Sequence, residues 1–329
     1  MRTLLFTDLV DRTQLVQRLG DSAAAALWAE HDRRARQLLA THGGQEIDRS
    51  DGFFLIFDAA PDAASFALAY QREMAALQLS ARVGLHVGAV SLRENAAADV
   101  ARGAKRVEVE GLAKPLAARV MALAAGGQTL LSATARDALA AARPAGSDIE
   151  NHGHYRLKGI DDPAEIFELG LSGGAFTPPP DTVKAYRVVR DGELWRPRRE
   201  VRHNLAPERD GFIGRGKELR ALAQSLDGGS RLVTLLGAGG TGKTRLARRY
   251  GMAWLGDWPG GVYFCDLSEA RSLDGNYFAT ALAPGRAAGQ RRPRRATRPR
   301  HGRARALPGD SGQLRTGGDT RRRHARPLA

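Results

Sequence analysis

Strand-like and helix-like segments follow one another in a fixed order over the first 92 residues, and that order limits the fold more than any single motif does. The predicted strands lie at 2–9, 45–49, 52–57 and 81–92, and the predicted helices at 12–41 and 61–79. A helix between the first two strands, a tight turn after the second and a helix before the fourth predict an α/β (α+β) fold. Its core would be a ferredoxin-like β-α-β-β-α-β unit.

Later segments continue this first domain to about residue 170. Residues 112–124 have the apolar spacing of a helix, and residues 128–142 that of a short strand followed by a short helix. Residues 152–169 have the pattern of a closing hairpin. We therefore assign residues 1–170 to one domain whose sheet gains further strands.

A different organisation begins after residue 170. Residues 171–210 contain three consecutive prolines and a charged stretch, which is typical of a linker. Residues 211–284 predict the N-terminal part of a second α/β domain. This domain starts near residues 211–226, and its predicted elements are the strand RLVTLL at 231–236, a helix over TRLARRYGMAWL at 244–255 and the strand VYFCDL at 262–267.

The charge of the chain is concentrated in its last segment. The formal net charge is +14, but residues 286–329 hold fourteen Arg, no Lys and two acidic residues and so account for +12 of it. The remainder is nearly neutral, so it has little electrostatic attraction for nucleic acid. Residues 285–329 also lack Val, Ile, Met and aromatic side chains, which predicts an unstructured Arg-rich tail.

Two interpretations of this tail stay open. Its Arg, Pro, Gly and Ala content is that of a GC-rich gene read out of frame, and a one-base shift of Pro308–Gly317 permits codons for LVILDNFEQ, a Walker B-like strand. The other interpretation is a basic tail that binds RNA or anionic lipid. The nucleotide sequence distinguishes the two.

The compartment follows from what the sequence contains. Cys265 is the single cysteine, which fits a reducing compartment. The N-terminus does not have the pattern of a signal peptide, and no apolar run approaches the roughly 20 residues that span a bilayer. We expect a soluble, cytoplasmic protein that does not insert in a membrane.

Two acidic residues could meet at one point of the predicted sheet. Asp8 ends the first strand, and Asp51 lies in the turn between the second and third strands. Asp-Gly between apolar runs is a common hairpin turn, so the local sequence favours a purely structural interpretation of Asp51. If the two carboxylates converge, they offer the hard oxygen ligands that Mg²⁺ or Mn²⁺ prefers.

Four motifs, in order and at suitable spacing, resemble the class III adenylyl and guanylyl cyclase domain. They are FTDLVDRT (6–13), SDGFFLIF (50–57), RVGLHVGAV (82–90) and EVEGLAKPLAARVMALA (108–124), and HGHYRLKG (152–159) is similar to a segment that closes bacterial examples. The resemblance covers about residues 2–170. It implies that Asp8, the Leu9 backbone and Asp51 hold two Mg²⁺ or Mn²⁺ ions, and that Leu9–Thr13 faces the triphosphate. It also implies a homodimer with the active site between the chains.

The residues that such cyclases use on the base and in the transition state are partly replaced. The slot of the purine-reading lysine holds Ile47, and the base-reading acid corresponds to Glu108. The transition-state asparagine corresponds to Pro115, which has no side-chain donor, whereas the phosphate-neutralising arginine is present as Arg119. The resemblance therefore implies a weak or unusual cyclase that converts ATP or GTP into the cyclic 3′,5′-nucleotide and pyrophosphate. The alternative is a degenerate domain used for dimerisation or nucleotide sensing.

A second nucleotide motif lies in the C-terminal half. Residues 237–244, GAGGTGKT, match the Walker A pattern between a predicted strand and a predicted helix, as in a P-loop NTPase. The residues expected to bind ATP and Mg²⁺ are Gly237, Gly239, Gly240, Thr241, Gly242, Lys243 and Thr244.

The segment before this loop adds a second resemblance. FIGRGKEL (212–219) resembles the lead-in of signal-transducing ATPases of the NB-ARC and AAA type. No strand that ends in an acidic residue follows at the expected distance, so we expect nucleotide binding with little hydrolysis.

Overall fold

The computed structural model describes residues 1–160, 162–182, 184–208 and 210–267. Its strands are β1 (Arg2–Leu9), β2 (Gln45–Arg49), β3 (Phe53–Phe57), β4 (Ala81–Gly88), β5 (Ser91–Glu94), β6 (Val107–Glu110), β7 (Thr129–Ser132), β8 (Ser147–Leu157), β9 (Ala164–Leu171), β10 (Ala185–Asp191) and β11 (Leu194–Pro197). Its α-helices are α1 (Arg12–Leu19), α2 (Asp21–Thr41), α3 (Ala60–Ala76), α4 (Ala97–Ala101), α5 (Ala113–Leu123), α6 (Ala133–Leu139), α7 (Gly216–Asp227) and α8 (Lys243–Ala253), and a 3₁₀ turn follows at Leu255–Asp257.

Nine strands form one large mixed sheet in the order β11-β10-β8-β9-β7-β4-β1-β3-β2. Within it, β4, β1, β3 and β2 are antiparallel neighbours, which is the strand order of the predicted ferredoxin-like core. Strand β7 pairs parallel with β4, and the hairpin β8–β9 follows. The predicted mixed fold and the predicted closing hairpin are confirmed.

The central strands are buried on both faces of the sheet, which explains their continuous apolar sequence. All five residues of β3, FFLIF, are buried. Because successive side chains point to opposite faces, Phe53 packs with α3 on one side and Phe54 with β6 and α5 on the other. The helical layer of α2 and α3 therefore covers one face, and α5 with β6 covers the other.

Two predicted elements are divided in the structure. The helix predicted at 12–41 breaks at Gly20, whose φ of +78° is a left-handed conformation that favours glycine. The strand predicted at 81–92 ends at Gly88, and Ser91–Glu94 pairs instead with β6 in a separate two-stranded sheet. All four residues of β5 are exposed, so they do not fit a sheet that is covered on both faces.

The segment predicted as a linker at 171–210 contains two strands of the main sheet. Strand β10 pairs with β8, so that Ala185 lies opposite Leu157, and β11 pairs with β10. Tyr186 of β10 is buried, with 2% of its surface exposed. The sheet edge therefore extends into the predicted linker, and the division of the chain into domains stays a prediction.

The two strands predicted for the second domain are not formed. Residues 231–236 have no strand assignment, and Leu232 and Leu236 are 84% and 89% exposed. In 262–267 only an isolated bridge joins Val262 to His203. The prediction is wrong for these described segments, because no neighbouring strand within the described ranges completes their backbone hydrogen bonds.

The remaining predictions about the C-terminal part fall beyond these ranges. Residues 268–329, which include the end of the predicted second domain and the Arg-rich tail, lie outside the described residues. Of the helices that the structure describes, none combines the length and apolarity needed to cross a bilayer.

A buried histidine lies at the contact of β4 with α6. The Nδ1 atom of His86 is 2.9 Å from Oγ of Ser132 and 3.2 Å from Oγ1 of Thr134, and the residue is 7% exposed. Burial lowers the pKa of His86 below its ordinary value. Its role in the fold is therefore that of a neutral, hydrogen-bonded core residue.

We predict that the free energy of unfolding falls as the pH drops below about 6.5, the ordinary pKa of an unfolded histidine. The unfolded state then takes up a proton that buried His86 resists, so stability is full above this pH and is lost toward the lowered pKa of the folded state. Urea unfolding at pH 7.5 and 5.5 measures the loss. His86→Gln should lose less stability over this interval, and exposed His203→Gln should behave as wild type. Equal losses in all three proteins would contradict the prediction.

Candidate functional site at the ends of β1 and β3

A close backbone contact brings the turn that carries Asp51 against the end of β1. A Cβ atom added to Gly52 would lie 1.8 Å from the carbonyl oxygen of Thr7 and 3.1 Å from Cα of Asp8. The register of the two strands, which pairs Phe6 with Phe54, leads to the same juxtaposition. Residue 52 must therefore be glycine for the turn to reach this position.

Strand alternation decides to which face Asp8 points. Leu4 belongs to the apolar cluster beneath β6 and α5, and Leu5 to the cluster beneath α3. Because side chains alternate along a strand, Asp8 shares the face of Leu4, and Thr7 shares that of Leu5. The candidate site thus opens on the α5 side of the sheet.

Each carboxylate already has an arginine beside it. Asp8 forms an ion pair with Arg82, which lies directly across the β1–β4 ladder. The Oδ1 atom of Asp51 is 3.5 Å from a guanidinium nitrogen of Arg12, although the Asp51 side chain is 93% exposed. These cations offset the repulsion between two neighbouring anions. Sequence reasoning missed both arginines, since nothing local in the sequence marks them as partners.

The donor set fits a hard divalent cation only in part. Nowhere in the described ranges does a group of three or more His, Cys, Asp or Glu side chains assemble that could hold a metal. Asp8 and Asp51 supply carboxylate oxygens, and Leu9, whose side chain is buried, can contribute only its backbone carbonyl. Such a set suits Mg²⁺ or Mn²⁺ if water and phosphate oxygens complete the shell.

The first turn of α1 provides donors next to these carboxylates. Asp11, the N-cap residue, has a φ of +57°, and its side chain does not cap the helix. The backbone N–H groups of the first turn therefore lack a side-chain acceptor from the cap residue, and they lie within the segment Leu9–Thr13. A helix start of this kind favours anionic groups.

The base-reading side of the predicted site has a different chemistry from the one that the cyclase resemblance implies. Ile47 is 8% exposed and packs in an apolar cluster with Val107 and Val109, at a bulge of β2. Beside it, the Nζ atom of Lys105 is 2.7 Å from Oδ2 of Asp48. Sequence reasoning missed this lysine, which lies 57 residues from its partner.

The other predicted residues lie on β6 and α5. Val107 and Val109 face the apolar cluster, so Glu108 between them points away from it and away from the face of Asp8. Arg119 is half-buried in α5 and makes no ion pair with any described residue. Pro115 is exposed in the first turn of α5, where the missing N–H has no cost.

Helix α5 is held close to the sheet at one point. A Cβ atom on Gly84 of β4 would lie 2.3 Å from the backbone nitrogen of Met121. This contact sets the distance between α5, which carries Arg119, and the strand that carries Arg82. Glu108 points away from this face within one chain.

The P-loop motif forms a loop that precedes α8. Gly240 and Gly242 have φ values of +74° and +78°, and Thr241 Oγ1 donates to the carbonyl of Ala238 at 2.9 Å. Lys243 Nζ donates to the carbonyls of Gly237 and Ala238 at 2.8 and 2.7 Å. The lysine is therefore folded onto its own loop.

An open cavity adjoins this loop. Its volume is about 670 Å³, and its charged wall residues are the cations Lys243, Arg245 and Arg248 and the acids Glu208 and Asp210. The cations outnumber the acids by one, which gives a modest preference for an anionic ligand such as a polyphosphate. Gly239 is open to the solvent side, since a Cβ atom there would meet nothing within 4 Å.

No family model matches the chain. It is 33% identical over 171 residues to uncharacterized proteins of Mycobacterium tuberculosis and Mycobacterium bovis, a stretch that covers 51% of this chain and 55% of each relative. The chain thus spans about half the length of the curated relatives that it matches.

Solved cyclase structures are similar to about half of the chain. The adenylyl cyclase CyaB from P. aeruginosa is 18% identical with a TM-score of 0.46, over 51% of this chain and 92% of that one. An adenylate cyclase from Trypanosoma brucei is 23% identical with a TM-score of 0.46, over 54% and 91%. The guanylate cyclase domain of RhGC from Catenaria anguillulae, in complex with GTP, is 14% identical with a TM-score of 0.46, over 52% and 96%.

We predict that Gly52→Ala lowers the free energy of unfolding by about 2 kcal/mol or more, because the new methyl group would overlap the backbone of β1. Chemical denaturation measures the change. The matched control is Gly211→Ala, where a Cβ atom meets nothing within 4 Å. If Gly52→Ala is as stable as that control, the contact that places Asp51 is not as tight as the structure has it.

Proposed function

We propose that residues 1–170 are a nucleotidyl cyclase domain that converts ATP or GTP into the cyclic 3′,5′-monophosphate and pyrophosphate. The observation that carries the proposal is the contact of Gly52 with Thr7 and Asp8, since it brings the backbone of the Asp51 turn against the end of β1 that carries Asp8, beside a helix start. The order of the four cyclase-like motifs agrees with it.

The reaction makes one bond and breaks one. The 3′-oxygen of the ribose bonds to the α-phosphorus and passes its proton to water, and the bond from that phosphorus to the bridging oxygen breaks and releases pyrophosphate. Two Mg²⁺ or Mn²⁺ ions held by Asp8, Asp51 and the Leu9 carbonyl would supply positive charge to the 3′-oxygen and the phosphates.

The chain's own cations and amides serve the phosphates. The backbone N–H groups at the start of α1 would bind triphosphate oxygens, and Arg12 lies close enough to Asp51 to reach the same region. Arg119, which has no acidic partner among the described residues, would neutralise charge that develops on the transferred phosphate.

A homodimer would complete the site. Glu108 points away from the face of its own Asp8, so it is better placed to read a base bound to a second copy of the chain. Two such sites would form between two antiparallel copies, each with carboxylates from one chain and Glu108 from the other.

The second candidate function is that of a dimerisation or nucleotide-sensing module without catalysis. Ile47 favours it, because this residue fills an apolar cluster where a purine-reading lysine would stand. Pro115 favours it as well, since it has no donor for the transition state. Loss of one such donor commonly lowers the rate by a factor of roughly 10²–10³.

We predict low but measurable cyclase activity of the full chain with Mn²⁺ and ATP or GTP. Asp8→Asn and Asp51→Asn should each reduce cyclic nucleotide formation by a factor of roughly 10² or more, because each removes a metal-binding charge. Mass spectrometry of the cyclic product measures the rate.

The matched control is Asp58→Asn, an exposed carboxylate just after the opposite end of β3, paired with Arg2. It should keep wild-type activity. If wild type forms no more product than the Asp8 and Asp51 variants do, the catalytic proposal fails and the sensing module is the better function.

We also propose that the loop at 237–244 binds a nucleotide with Mg²⁺. The cationic cavity and the position of Lys243 at the start of α8 support this. Nucleotide binding would exchange the lysine's two bonds to loop carbonyls for bonds to phosphate oxygens.

We predict that Lys243→Ala weakens binding of Mg-ADP to the full chain by about tenfold or more, the loss expected for one charge-assisted hydrogen bond. ADP is used because the cyclase reaction requires a triphosphate. Equilibrium dialysis measures the dissociation constant, and exposed Lys217→Ala is the control. Equal affinity of both variants would show that the loop does not hold the nucleotide.

A further inference from the structure

A hydrogen-bond network of buried and partly buried polar side chains lies beneath the candidate site, on the opposite face of the sheet. It begins at the backbone N–H of Phe53, which donates to Oγ1 of Thr7 at 2.9 Å. The hydroxyl of Thr7 lies beside that of Tyr70, and the Tyr70 hydroxyl is 2.8 Å from Nε2 of His31. Tyr70 and His31 are 0% and 1% exposed.

The same hydrogen-bond network continues to the turn that carries Asp51. The Nδ1 atom of His31 is 2.8 Å from Oδ1 of Asp32, and the same oxygen accepts from Nη2 of Arg49 at 2.6 Å. Arg49 also donates from Nη1 to the carbonyl of Ser50 at 2.7 Å. The hydrogen-bond network thus ends at Ser50, the residue that precedes Asp51.

The bonds have a consistent direction. Burial lowers the pKa of His31, so the ring is neutral, accepts at Nε2 from Tyr70 and donates at Nδ1 to Asp32. Burial alone would raise the pKa of Asp32, but hydrogen bonds from Arg49 and His31 outweigh it and hold that pKa low. Asp32 is therefore a charged acceptor with two donors.

These polar groups lie among the apolar side chains of the α2–α3 layer. Phe53 lies between them, with the Arg49 guanidinium 5.5 Å from its ring centroid and the His31 ring 5.5 Å from it. The Asp32–Arg49 ion pair is only partly buried, with side chains 19% and 21% exposed. Such a pair is weak evidence for stability, because exposed ion pairs contribute little and well-packed apolar residues often serve as well as buried ones. The two residues at which this hydrogen-bond network ends suggest that it has another role.

Both ends are backbone neighbours of the two carboxylates. Thr7 precedes Asp8 in β1, and Ser50 precedes Asp51 in the turn. We propose that Tyr70, His31, Asp32 and Arg49 are positioning residues that lock the Asp51 turn to the end of β1, and so set the separation of the two metal-binding carboxylates. This inference rests on the proposed function. None of the four residues touches the substrate face of the sheet.

The test measures Mn²⁺ binding to the full chain without nucleotide, from the loss of the free-Mn²⁺ electron paramagnetic resonance signal. The relevant binding is the part that Asp8→Asn and Asp51→Asn remove. Tyr70→Phe deletes only one hydroxyl, and it should weaken this binding by roughly tenfold, as changes behind metal ligands commonly do. Arg49→Met should do the same, and Arg49→Lys, which keeps a charged donor, should recover part of the affinity.

Tyr155→Phe is the matched control. Tyr155 is also fully buried, and its hydroxyl bonds to the carbonyl of Pro179 at 3.2 Å in a separate apolar cluster. Urea unfolding should show similar stability losses for the two tyrosine variants, while only Tyr70→Phe loses Mn²⁺ affinity. This contrast separates positioning from a general contribution to the fold.

The outcomes distinguish a failure of the proposed metal pair from a failure of the positioning inference. If Asp8→Asn and Asp51→Asn bind Mn²⁺ as wild type does, the metal pair of the proposed function is wrong and the inference falls with it. If those variants lose binding while Tyr70→Phe and Arg49→Met keep wild-type affinity, the metal pair stands and the positioning inference is overturned. A parallel loss in Tyr155→Phe would likewise overturn it.

Discussion

Burial of β1 and β3 on both faces is the constraint on which the rest of the structure depends. Apolar side chains on both faces of the sheet fix the register of these two strands. The end of one strand therefore has a defined position relative to the end of the other. The overlap that any side chain at position 52 would cause shows how close the two ends come. The backbone of the turn that carries Asp51 is therefore a neighbour of the end of β1 that carries Asp8.

Acidic residues so close together repel one another, and cationic side chains of the same polypeptide offset this repulsion. Asp8 pairs with Arg82, Asp51 lies beside Arg12, and Asp48 pairs with Lys105. In the loop at 237–244, the charged amine of Lys243 likewise has partners within the chain, since it donates to backbone carbonyls. Ligand binding at either place would therefore be an exchange of partners, so affinity depends on the difference between two sets of contacts.

Sequence patterns were sufficient to predict the core strands, but they were insufficient to predict which distant side chains pair with the site residues. Period and turn chemistry predicted the order of β1 to β4 and the hairpin β8–β9, because those signals are local. They could not identify Arg82 as the partner of Asp8, 74 residues away, or connect His31 with Tyr70, 39 residues away. Such pairs exist only once the strand order is fixed.

Two other differences have physical causes as well. Strand β10 was missed because a proline-rich approach and charged flanks resemble a linker, although Tyr186 is buried in the sheet. The strand expected at 231–236 fails for the opposite reason, since an apolar run forms a strand only beside another strand. Local composition therefore overstated disorder in one segment and order in the other. How Asp8, Asp51, Arg119 and Glu108 would act together remains a proposal that the sequence motifs supply and the fold accommodates.

Helix α8 shows how these segments are joined. Its first residue is Lys243 of the P-loop, and the 3₁₀ turn after it packs on β10, where a Cβ atom on Gly256 would lie 2.2 Å from the Tyr186 ring. Arg199 donates to the carbonyl of Gly256 at 2.6 Å. Eleven residues of helix span about 16 Å. One helix thus extends from the loop at 237–244 to the edge of the nine-stranded sheet. Because the loop end lacks a strand and the sheet end is buried, the C-terminal end of α8 is the better anchored of the two.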